Sequence, residues 1–204
     1  DARGNEKRQR MAETQELRKG WFKIAGLQDC DRTVEQQILW LEGYYFSGKT
    51  VLDLGCAEGL ISRYVLERGA KLVHGCEIIG PHLKVATRLC EGTTAQFWKM
   101  DLREFPYWHQ KSMRQSKKPM LACYDVVLLL SIIHKLRHPL TFLDYAADLS
   151  DELIIRLPGR VLNDERSNYL NCNIPKHLAN RFDLVAEPKT CLQEWMGWFR
   201  RRLP

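Results

Sequence analysis

The sequence lacks any apolar run approaching the roughly 20 residues that cross a bilayer. Its first twenty residues, "DARGNEKRQRMAETQELRKG", lack an apolar signal-peptide core and an initiator methionine, so a longer parent chain stays open. The seven cysteines contain no CxxC pair and no Cys/His set at zinc-finger spacing. An odd, scattered count argues against a fully paired disulfide framework, and most of these cysteines fall in predicted strands or helices as small hydrophobes. A reducing, cytoplasmic setting is the expectation. The six histidines are scattered and no carboxylate–histidine cluster has a ligand spacing, so no metal site is expected. Internal repeats and low-complexity tracts are absent as well.

What is present is ordinary in bulk. The 204 residues are 45% hydrophobic and 27% charged, which fits one globular domain with a sizeable core plus short extensions. The net charge is +6, and its basic residues gather in residues 3–23, in "HQKSMRQSKKP" (109–119) and in "FRRRLP" (199–204). Such clusters suit a nucleic acid or another polyanion, and they suit a solvated surface equally.

Residues 1–30 read as a polar leader ending in an aromatic anchor, "GWFKIAGL" (20–27). In "DRTVEQQILWLEGYYF" (31–46), Val34, Ile38, Leu41 and Tyr45 recur every three or four residues, predicting an amphipathic helix with Asp31 or Thr33 as N-cap. From residue 50 the pattern changes to short apolar runs alternating with helical segments. "TVLDLG", "KLVHGCEI", "AQFWKMDL", "YDVVLLLS" and "DELIIRLPG" read as strands, with helices between them and over 166–180. "YDVVLLLS" is nearly unbroken apolar, as expected of a strand covered on both faces. "RFDLVAEP" and "CLQEWMGWFRR" read as two final strands. Alternation of this kind implies βαβ units and a parallel sheet with helices on both faces. Residues 106–119 look like a basic insertion, longer than a simple connection requires.

The turn after the first strand reads Gly55-Cys56-Ala57-Glu58-Gly59-Leu60. It does not match the dinucleotide fingerprint G-x-G-x-x-G, and no Gly-Lys-Ser/Thr follows as in a P-loop. Carboxylates surround it, with Asp53 before it, Glu58 within it and Glu77 at the end of the second strand. A pyrophosphate would meet like charge there. A nucleoside with a cationic tail gains instead, which describes S-adenosylmethionine. Glu77, about twenty residues past the turn, is placed to accept ribose hydroxyls. Asp101, one strand further out, is placed for an adenine amine, with Leu102 packing on the ring.

"VLDLGCAEG", "GCEI", "KMDL" and "YDVVLLLSIIHKLRHP", in this order, resemble the class I S-adenosylmethionine-dependent methyltransferases. The resemblance covers residues 49 to about 157. It implies a Rossmann-like three-layer αβα sandwich, its seven-stranded sheet mostly parallel with an antiparallel final strand, over residues 31–204. It implies that Gly55, Cys56, Ala57 and Gly59 surround the methionine part of the cofactor. Asp53 would orient the amino group, Glu77 followed by Ile78 would hold the ribose, and Asp101 with Leu102 the adenine. Ser131 begins the loop that passes near the transferable methyl in this fold. Ala57 departs from the family, many of whose members have glycine there.

The Asn/Asp-Pro-Pro-aromatic run of nucleic-acid amino-methyltransferases is absent, which argues against an adenine or cytosine amino group as acceptor. "SIIHKLRHP" is similar instead to the run found in methyltransferases of small molecules, sugars, lipids and some tRNA wobble bases. His134 is the candidate general base, its ordinary pKa near 6.5 suiting that work; a loop or pocket-closing histidine is the other reading. The acceptor pocket is expected from Trp21, Tyr44, Tyr45, Tyr107, Trp108, Arg156, Arg160 and Tyr169, with the two arginines holding an anionic group. The expected activity is methyl transfer to oxygen or nitrogen of a small or medium, anionic acceptor. RNA or another nucleic acid is the alternative acceptor, and a non-catalytic cofactor-binding domain the third reading.

Overall fold

The computed structural model describes residues 38–114, 119–157, 165–187 and 194–203. The leader over 1–30, and with it Trp21 and the candidate caps Asp31 and Thr33, lies outside them, as does Arg160. Seven strands form one sheet: β1 (Thr50–Leu54), β2 (Leu72–Glu77), β3 (Ala95–Lys99), β4 (Tyr124–Leu130), β5 (Ser150–Leu157), β6 (Phe182–Ala186) and β7 (Trp195–Arg201). Their order is β3-β2-β1-β4-β5-β7-β6. The first five run parallel, while β7 is antiparallel to both β5 and β6. The connecting helices are α1 (Leu60–Glu67), α2 (Gly80–Leu89), α3 (Phe105–Met113), α4 (Pro139–Asp148) and α5 (Glu165–Leu178). This is the expected Rossmann-like sandwich with one reversed strand.

The central strands are apolar throughout because both of their faces are covered. Successive residues go to opposite layers. Val126, Leu128 and Ile154 join Trp40, Tyr64, Val65 and Met196 on one face. Leu52, Val127, Leu129, Leu153 and Ile155 join Phe105, Phe142, Leu143 and Ile174 on the other. Strand order reverses between β1 and β4, and that switch point opens a crevice at the carboxyl ends of the strands.

Two expectations meet a different outcome. Of the helix expected over 31–46, residues 31–37 lie outside the described residues; Ile38 is helical, a 3-10 turn follows at Leu39–Leu41, and Tyr44–Phe46 run without regular structure. Gly43 lies in the turn before that stretch, where a Cβ would stand 3.3 Å from the Trp198 ring. The basic insertion is largely α3, the helix that carries the chain from β3 back to β4. Its Phe105, His109 and Ser112 are buried at spacings of four and three. His109 donates from Nε2 to the Leu121 carbonyl at 2.7 Å and meets the Tyr145 hydroxyl at 3.0 Å, so a polar residue serves a core position. Only residues 115–118 of that segment lie outside the description.

Candidate functional site

The turn expected to hold a ligand lies at the switch point. Its amides at Gly55 and Cys56 both donate to the Cys76 carbonyl, at 2.9 and 3.1 Å, which ties the end of β1 to the end of β2. Gly55, Ala57 and Gly59 all have positive φ, at 81°, 47° and 76°. A Cβ at Gly59 would stand 2.8 Å from Ala86 Cβ of α2, so glycine is required there by conformation and by space. Ala57 carries its methyl in the left-handed region, a strained state for a non-glycine residue.

Glu77 explains how Ala57 is held. One carboxylate oxygen accepts the Ala57 amide at 3.0 Å and the other the Ile79 amide at 2.8 Å. The strand-end acid therefore ties the turn to the loop after β2. Asp53 is buried beneath the turn and accepts the Ser62 hydroxyl of α1 at 2.6 Å. Burial pushes its carboxyl up to about 6, the Ser62 bond opposes this, and the negative charge of Glu77 adds to it. Neither acid has an ion-pair partner among the described residues. Cys56 and Cys76 are buried thiols raised above the ordinary range by the same desolvation. Cys56, Cys76, Cys90 and Cys123 are free thiols.

Glu58 differs from the expectation. It is fully buried, with Oε1 at 3.5 Å from His82 Nε2, and so bridges the turn to α2 instead of lining the crevice. Asp101 lies next to the end of β2, where Met100 donates to the Glu77 carbonyl at 2.9 Å. Its side chain caps the 3-10 turn Leu102–Glu104 through the Arg103 amide and also grips the Arg103 guanidinium, which holds its carboxyl below the usual range. Leu102 is buried, while Ile78 and Ile79 are exposed beside Glu77.

Across the crevice, β4 is followed by Ser131, a non-glycine residue with φ 60°. The next residue, Ile132, packs on the turn: a Cβ at Gly55 would stand 3.0 Å from Ile132 Cγ1. The turn and this loop are thus in contact. His134 follows in the 3-10 turn Ile133–Lys135 and is half-buried.

Among the described acceptor candidates, Arg156 reaches this edge through Ser131, and not as an open anion clamp. Its guanidinium donates to Ser131 Oγ from Nε at 2.9 Å and from Nη2 at 2.6 Å. It also stacks over Trp40 at 4.0 Å. Tyr44 lies at the opposite edge of the sheet, bonded to Glu152. Tyr45 and Tyr107 are exposed, and Trp108 donates to Glu104 at 2.9 Å. Tyr169 falls in α5, its side chain outside the described part. Sequence reasoning missed Ser62, Trp40 and Ile132 as parts of the site. Each is a common residue in an apolar or helical run, and nothing local marks it.

Among the described residues no cluster of His, Cys, Asp or Glu could hold a metal ion, and no helix is long and apolar enough to cross a membrane.

No protein-family model matches the chain, and no curated protein matches it in sequence. Solved structures do. Magnesium protoporphyrin IX methyltransferase from Synechocystis, solved with bound SAH (S-adenosylhomocysteine), is 20% identical over 83% of this chain and 82% of its own, with a TM-score of 0.61. A putative RNA methyltransferase from Pyrococcus horikoshii is 18% identical over 83% and 84%, TM-score 0.58. A ribosomal protein L11 methylase from Lactobacillus delbrueckii is 14% identical over 86% and 81%, TM-score 0.57. The chain has the fold of the class I S-adenosylmethionine-dependent methyltransferases.

Proposed function

We propose that the chain is an S-adenosylmethionine-dependent methyltransferase acting on an oxygen or nitrogen of a small or medium acceptor. The observation that carries this reading is a pair of buried acids, Asp53 and Glu77, at the switch point, without an ion-pair partner among the described residues. Buried carboxylates are costly unless paired. A ligand with a cationic tail offsets that cost and a phosphate increases it.

The residues fit such a cofactor. Gly55, Cys56, Ala57 and Gly59 form a turn whose left-handed backbone permits close approach. Asp53 provides negative potential for the amino group and Glu77 the rim for the ribose, with the exposed Ile78 beside it. Leu102 and Asp101 bound the adenine side. When bound, the cofactor supplies an electrophilic methyl group on a sulfonium. The chain's task is then alignment of donor and acceptor, with His134 as the candidate base for an acceptor proton.

Nucleic acid is the second reading, supported by an exposed Tyr107 whose ring lies 5.3 Å from that of Trp108, itself covered by Lys111 at 4.7 Å. Against it, the basic tail is neutralised: Arg200, Arg201 and Arg202 face Glu152, Asp151 and Asp183.

Calorimetry of S-adenosylmethionine binding tests the proposal, with Glu77→Ala alongside. Binding at least tenfold weaker in the variant is expected, as charge-assisted hydrogen bonds contribute about 1.5–3 kcal/mol. No binding by the intact chain would overturn it. A salt titration of acceptor binding then separates the acceptors, since nucleic acid binding weakens steeply with salt.

A further inference from the structure

We propose that the Ser131 hydroxyl, fixed by Arg156, is the hydrogen-bond donor for the carboxylate at the amino-acid end of the cofactor. Arg156 is a positioning residue that acts through Ser131. The inference rests on the cofactor reading above.

Ser131 is held at three points by one residue. Its amide donates to the Arg156 carbonyl at 2.9 Å, and its Oγ accepts from Nε and Nη2 of the same arginine at 2.9 and 2.6 Å. A serine at φ 60° persists only where its surroundings over-determine it. Here they do, because the guanidinium is itself immobile. It is buried, lies over the Trp40 ring at 4.0 Å and has Nη1 at 3.9 Å from Glu194 Oε2.

The hydrogen-bond inventory sets the chemistry. A hydroxyl oxygen has two lone pairs and one proton. Arg156 occupies both lone pairs, so the proton must point away from it and can only donate. No acceptor for that proton is found among the described residues. A guanidinium feeding into a hydroxyl polarises it and suits it to an anion.

Placement selects the anion. Ser131 is adjacent to Ile132, which packs on Gly55 of the turn. Asp53 and Glu77 lie on the β1/β2 side of this crevice, and the cation-backed donor lies on the β4/β5 side. Acid on one side and donor on the other match the two charges of an α-amino acid.

The test is calorimetry on the intact chain with two probes. One is S-adenosylhomocysteine. The other is 5′-deoxy-5′-methylthioadenosine, which keeps the nucleoside and thioether and lacks the amino-acid end. Ser131→Ala and Arg156→Met are each expected to weaken S-adenosylhomocysteine about tenfold. Both should leave methylthioadenosine within about twofold, and the double variant should bind no more weakly than Ser131→Ala alone, because Arg156 acts through that hydroxyl. Equal loss for both probes would mean a merely structural role and overturn the proposal. So would an unchanged affinity for S-adenosylhomocysteine in Ser131→Ala, the variant that decides the matter if Arg156→Met does not fold. If the unaltered chain binds neither probe, the cofactor reading itself has failed and this subsite falls with it.

Discussion

The two edges of the sheet carry acids in opposite circumstances. At the amino edge, Glu152 receives Lys49 Nζ at 3.2 Å, Arg200 Nε at 3.4 Å and the Tyr44 hydroxyl. Beside it, Asp125 accepts the Thr50 amide and hydroxyl at 2.6 and 2.7 Å, and those bonds hold its carboxyl below the usual range. At the carboxyl edge, Asp53 is raised to about 6 by burial, and Glu77 spends its oxygens on backbone amides of the turn and loop. Among the described residues, the two non-glycine residues with positive φ, Ala57 and Ser131, both sit at this second edge. One edge is satisfied and serves stability. The other holds two acids without a cation among the described residues, beside strained backbone at Ala57 and Ser131.

The sharpest way to break this contrast is Asp53→Asn. A carboxyl raised from 3.8 to about 6 favours the folded state below pH 4, and that contribution is lost as pH rises through 6. At pH 8 the desolvated charge therefore costs about 3 kcal/mol. Asparagine removes it, so the ligand-free variant should melt higher than the parent at pH 8 and equal it near pH 4, while losing cofactor affinity. A lower melting point at pH 8 would mean the carboxylate is compensated after all.

Gly59→Ala comes next. A left-handed alanine and a 2.8 Å approach to Ala86 Cβ should together cost about 2 kcal/mol, read from urea denaturation. An unchanged midpoint would mean that α2 moves away freely and that the turn is less constrained than its geometry implies.

The smallest effect belongs to the amino edge. Glu152→Gln should lower stability by about 1 kcal/mol, because its cations are partly exposed and screened. Affinity for S-adenosylhomocysteine should not change. A weakened affinity would show that the two edges are coupled through the strands, against the division drawn above.

Much of the carboxyl edge was legible in the residue order. Asp53, the glycine turn and Glu77 form a local pattern, and strand alternation places all of them on one edge. Tyr44 and Arg156 were not legible in this way. Both were expected around an acceptor, yet Tyr44 bonds Glu152, 108 positions away, and Arg156 turns its fork onto Ser131, 25 positions back. The α3 helix was misjudged for another reason. Two of its core-facing residues, His109 and Ser112, are polar, so its apolar period is weak and its charges dominate the reading.

By itself, the sequence determined the succession of strands and helices, the both-face burial of the central strands and the acidity of the turn. Periodicity and local charge are properties of neighbours in the chain, and the layers follow from them. Only the tertiary structure decided which acids acquire cations, that Glu58 turns inward to His82, and that Arg156 grips Ser131. Those outcomes depend on which distant side chain arrives at hydrogen-bonding distance, and sheet order and register set that.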